Sequence, residues 1–114
     1  MDKLIQIDDR EVGFRATALT PRLYRHWLSR DIMVDMNRLQ KAMAKAAEDE
    51  LSVADLEIFE NLAWVMAKQY DNSVPDSPDE WLDTFDTFVI YEILPQIIDL
   101  WARNQQTTAT SKKK

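Results

Sequence analysis

Apolar positions along this chain change period once, near residue 20. Residues 3–8 alternate loosely, and Val12, Phe14 and Ala16 then fall on one face at a spacing of two. Asp8-Asp9-Arg10 separates the two runs with turn residues, so the pattern predicts a short β-hairpin. A two-stranded hairpin is marginal in water and must lay its apolar face on helices. From Thr20-Pro21 onward the spacing is helical. Thr suits an N-cap, and Pro suits the first helical position, where its missing N–H has no partner to lose. Tyr24, Leu28, Ile32, Met36, Leu39 and Met43 form one stripe, widened by Leu23 and Trp27. Ser29-Arg30-Asp31 could break this helix into two, but nothing there compels it, and the stripe reads as continuous.

A second helix is expected from Ser52, with Asp55 completing a short capping box. Leu56, Phe59, Ala63, Met66 and Tyr70 make one stripe, and Ile58, Leu62 and Val65 another. A helix apolar over most of its circumference belongs at the centre of a bundle. Residues 71–78 read as loop. Ser77-Pro78-Asp79-Glu80 restarts helix with cap, proline and acid in order. The last helix is placed at about 87–103, with Pro95 inside it as a kink. Residues 105–114 are polar and stripeless and read as a disordered tail. The expected fold is therefore α+β and mainly α: a short N-terminal hairpin packed on a compact bundle of about four helices, forming a single domain over 1–104.

Composition narrows the chemistry. The chain has 114 residues, no cysteine, one histidine and one glycine. That argues against disulfides, thiolate metal sites, paired-histidine chemistry and glycine-rich phosphate loops. The acidic series Asp76, Asp79, Glu80, Asp83, Asp86 reads as an outward charged face rather than a wrapped cation loop. His26 has no nucleophile placed with it by a motif. No enzymatic activity, metal or cofactor is expected.

The net charge of −6 is unevenly spread. Residues 1–47 carry nine Lys/Arg against six Asp/Glu, whereas 48–92 carry thirteen acids and Lys68 alone as a base. The acidic balance disfavours nucleic acid as a partner. Arg22, Arg25 and Arg30 fall close enough to make a local basic patch. Four tryptophans are many for so small a core, so Trp81 and Trp101, in the outermost segments, are expected to be partly exposed partner anchors. These five residues are the expected partner-binding set. The N-terminus lacks signal-like architecture and no apolar run reaches membrane-span length, so a cytoplasmic protein without a membrane partner is expected.

Three stretches together resemble a phage family: Ile7-Asp8-Asp9-Arg10-Glu11-Val12-Gly13-Phe14-Arg15-Ala16 running into Thr20-Pro21-Arg22-Leu23-Tyr24-Arg25; Asp55 to Ala63 with Met66-Ala67-Lys68-Gln69; and Pro78-Asp79-Glu80-Trp81-Leu82-Asp83 through Ile93-Leu94-Pro95 to Leu100-Trp101. The family is the tail assembly chaperones of long, non-contractile-tailed phages and Gram-positive prophages. The resemblance covers about residues 5–102 and rests on the order of hairpin, helix and turn features. It implies a non-enzymatic protein of the bacterial host's cytoplasm that binds the tape-measure protein, keeps it soluble, helps recruit tail-tube subunits and is absent from the mature virion. It also implies a longer frameshifted form, which the terminal Lys112-Lys113-Lys114 would suit. Opposite charges on the two halves allow self-association, including head-to-tail arrays. The alternative is an acidic, DNA-mimicking phage or prophage inhibitor of a basic host protein.

Overall fold

The computed structural model describes residues 1–45 and 53–113, with side chains described for 1–44 and 55–103. The expected hairpin forms from β1 (Asp2–Ile7) and β2 (Arg10–Arg15), antiparallel with Ile5 opposite Val12 and Ile7 opposite Arg10. The chain reverses at Asp8-Asp9. Asp8 takes the left-handed backbone region (φ 57°), which Asp tolerates better than most side chains. Ile5, Ile7, Phe14 and Ala16 are buried and Leu4 faces out. Gly13, opposite Leu4, lies under the ring of Tyr70. A Cβ there would fall 2.1 Å from the ring, so any other residue would have to displace the Tyr70 side chain from the strand.

The helices are α1 (Thr20–Leu28), α2 (Ile32–Lys45), α3 (Val53–Tyr70), α4 (Pro78–Leu82) and α5 (Leu94–Lys113), with a 3-10 turn at Val89–Ile93 before the last. The centre of the bundle is α3, as its pattern requires: Ile58, Phe59, and every residue from Leu62 to Ala67 are buried, and β2, α1, α2 and α4 all pack on it. Among the described residues this is a mainly helical α+β domain whose hairpin packs on the helices through α3 and the 3-10 turn.

Four local expectations change. The first long helix is two helices, because Ser29 adopts a left-handed conformation (φ 57°) and closes α1 with its N–H on the Arg25 carbonyl. Thr20 is already helical rather than a cap. Its hydroxyl is turned inward, accepting from the Thr17 N–H and donating to Gln69 Oε1, while Gln69 Nε2 donates to Thr17 Oγ1. Pro95 stands in the first turn of α5, where it costs no internal bond, and the 3-10 turn ahead of it replaces the expected kinked helix. The backbone of α5 is helical to Lys113, past the boundary at 104 where a tail was expected to begin. The expected start at Ser52 lies outside the described residues. The cap at Ser77 is as read, its Oγ accepting the Glu80 N–H at 3.2 Å.

Candidate functional site

The corner between α1 and α2 is built around one carboxylate. Asp31 starts α2 by accepting the Met33 N–H on its side chain and the Asp35 N–H on its carbonyl. That places Asp35, which is buried, beneath the turn. Its Oδ2 accepts from the Tyr24 hydroxyl (2.7 Å) and from Arg30 Nε (2.7 Å), and its Oδ1 accepts from Arg30 Nη2 (2.8 Å). Burial pushes the Asp35 carboxyl pKa upward, but the Arg30 fork and the Tyr24 hydroxyl outweigh it and hold it below its ordinary 3.8. Burial and then the same hydrogen bond raise the Tyr24 phenol, and Asp35 raises Arg30. Such a forked, charge-assisted pair fixes the angle between the helices.

With the corner fixed, Arg22, Arg25 and Arg30 line one open cleft of about 730 Å³, floored by Pro21, Ile32 and Met33 and closed by Ser29 and Asp31. Arg30 is committed to Asp35. Among the described residues Arg22 and Arg25 form no ion pair, and both are exposed. The cleft continues onto the outer face of α2, where Met33 (55% exposed) and Val34 (64%) stand side by side. A hollow of about 340 Å³ lies beside them, bounded by Asn37, Gln40 and Trp101. The far end is basic again through Arg38, whose Nε bonds Asp55 at 3.2 Å, and Lys41.

A contrasting surface runs from α4 into the 3-10 turn. Asp79, Glu80, Asp83, Asp86 and Glu92 are exposed there, and no Lys or Arg occurs between Lys68 and Arg103. Asp83 caps the C-terminus of α4 with its N–H on the Asp79 carbonyl, one turn on from Asp79, whereas Asp86 lies beyond the helix. Phe88 projects from this ridge, 74% exposed, its ring centroid 6.4 Å from that of Tyr91 and inclined to it at 43°. Tyr91 itself is held by a hydrogen bond to Glu60, which pushes its phenol up to about 12. Among the described residues no group of three or more His, Asp or Glu is placed to hold a metal ion, and no helix is long and apolar enough to cross a membrane.

The three arginines singled out from sequence are thus brought together, whereas the two tryptophans are not exposed anchors. Trp81 is 1% exposed, packed edge-on against Phe14 (6.4 Å) and Phe85 (5.1 Å). Trp101 is 2% exposed, on the inner stripe of α5. Outermost in sequence is not outermost in space, because the hairpin and α2 fold over these segments. Nothing in the sequence reading marked Met33, Val34 or Phe88. The usable signal was that Met33 and Val34 are apolar yet lie off the Ile32–Met36–Leu39 stripe, and such residues on an amphipathic helix face out. No family model, curated protein or solved structure matches this chain.

Proposed function

We propose that this chain is a binding protein without catalytic activity, a tail assembly chaperone of the phage or prophage type. In this reading it acts in the host cytoplasm, covers apolar helical seams of a tape-measure protein until tail-tube subunits displace it, and does not remain in the virion. One observation supports it above the resemblance itself: two large apolar side chains, Met33 and Val34, stand exposed on a rigid helix beside a hollow and between clusters of cations. Adjacent exposed apolar residues with a polar rim are the surface form of helix-in-groove recognition. Weak contacts of this kind, repeated by many copies along one client, give useful avidity and still permit displacement.

Co-expression with the tape-measure protein of the same genome tests the reading. The parent chain is expected to raise the soluble client at least several-fold and to co-purify with it. A Val34→Glu variant, altered at an exposed position, is expected to lose both effects. A client that stays insoluble with the parent chain would overturn the proposal. Strongly salt-sensitive capture of a basic host protein, with no effect on the client, would favour the DNA-mimic alternative that the acidic ridge supports.

A further inference from the structure

The two surfaces just described are complementary. The ridge is acidic and carries an exposed phenyl ring. The corner cleft is concave, apolar-floored and edged by two arginines without ion-pair partners among the described residues. We infer that Phe88 of one molecule seats in the Arg22–Arg25 cleft of a second copy of the same chain, with Asp83 and Asp86 facing those arginines.

Three observations support a second copy as the occupant. Both halves of the contact belong to one sequence, so every molecule that offers a knob also offers a socket. Neither half is closed by an internal ion pair: among the described residues none joins Asp79, Glu80, Asp83 or Asp86 to Arg22 or Arg25, and the one hairpin cation at the ridge, Arg10, bonds Thr84 and lies over the Phe85 ring. The size is also right, since a cleft of about 730 Å³ admits a phenyl ring and the flanking side chains. The acids facing the socket would be Asp83 and Asp86. The groups already at the socket are Arg22, Arg25, Arg30 with its Asp35 partner, and Asp31, whose carboxylate is turned to the Met33 N–H. The two cations are therefore what an incoming acidic ridge meets.

Because knob and socket are different patches, the contact is heterologous and builds chains or rings rather than a closed two-fold pair. One ring and two charge pairs make a weak contact, with a Kd on the order of 0.1 mM. This goes beyond the client reading and does not depend on it. It also leaves Val34, Asn37 and Gln40 uncovered, so a row of copies would still present the α2 face.

Sedimentation of the full chain from about 1 µM to about 0.5 mM decides the matter. The weight-average mass is expected to climb past twice the chain's 13.4 kDa without a plateau at the dimer, and association should weaken at least fivefold on going from about 0.05 to about 0.5 M salt. Two variants then separate the halves. Phe88→Ser keeps the socket, and Arg22→Glu with Arg25→Glu keeps the knob; each alone should remain monomeric. Mixed in equal amounts, they should form one-to-one pairs and nothing larger, since each pair uses the only intact knob and the only intact socket. A parent chain that stays at 13.4 kDa throughout, a parent that stops at a dimer, variants that associate like the parent, or a mixture that stays monomeric would each overturn the inference.

Discussion

Between α1 and α2 the chain turns on a buried carboxylate; between α3 and α4 it turns on a lysine and an indole that grip backbone carbonyls. At the first reversal Asp35 gathers Tyr24 and Arg30. At the second, Lys68 Nζ reaches the Val74 carbonyl and Asp76, Trp64 Nε1 donates to the Pro75 carbonyl, and Asp71 folds its own carboxylate onto the Ser73 N–H and hydroxyl. The difference is one of concentration. The side-chain bonds from Tyr24 and Arg30 at the first corner all end on the Asp35 carboxylate, whereas the second loop spreads its bonds over three side chains, Trp64, Lys68 and Asp71. A concentrated node sets an angle accurately and fails all at once.

The largest expected effect follows from that node. Asp35→Ala orphans the fully buried Tyr24 hydroxyl and leaves Arg30 without a partner, and should cost about 2–3 kcal/mol in denaturant unfolding. Loss of the corner should also loosen the cleft, so the variant should associate less well than the parent. Trp64→Phe at the second loop is expected to cost about 1–2 kcal/mol, from lost volume and the Pro75 bond together. Lys68→Met, which keeps the side chain's length and removes its ammonium, should cost only about 1 kcal/mol, since the neighbouring bonds survive.

Acid sharpens the contrast. The Asp35 pKa is lowered in the fold, so its contribution is complete above the ordinary value of 3.8 and is lost as pH falls through the lower folded value. The gap between the parent and Asp35→Ala should therefore close in strong acid. At the alkaline end the sign reverses. Tyr24 and Tyr91 have raised phenol pKa values, so their stabilisation is complete below the ordinary 10.0 and declines above it. The smallest effect is expected at Arg25→Gln, which should move Tm by less than about 2 °C while weakening self-association.

The two reversals also differ in how far the sequence disclosed them. The second was legible in full: turn residues from Asp71 to Ser77 interrupt the periodicity, and Ser77-Pro78 announces the next helix. The first was legible only as an option at Ser29-Arg30-Asp31, because the apolar stripe passes through it in phase. Tyr24, Ile32, Met36 and Leu39 are buried as one stripe, although the helix that was to carry them is broken. A left-handed serine leaves no compositional mark of the kind glycine does. Pro95 was visible, but its meaning depended on whether helix precedes it, and that is decided by how residues 83–93 close over the hairpin. Of the candidate site, the Arg22–Arg25 pair could be read because a spacing of three along a helix places side chains together, whereas Arg30 joins them through the turn after Ser29. The depth of Trp81 and Trp101 could not, since it is created by segments distant in sequence.

One contact within the core has a practical use. The rings of Trp27 and Trp64 lie 5.5 Å apart, inclined at 59°, where α1 meets α3. Two indoles this close couple their electronic transitions, and the coupling changes sign and size with their mutual tilt. The docking of α1 on the central helix is therefore written into the protein's own circular dichroism and fluorescence. Trp27 shares α1 with Arg22 and Arg25 of the corner cleft, so binding there that moves α1 can be followed without attaching any dye.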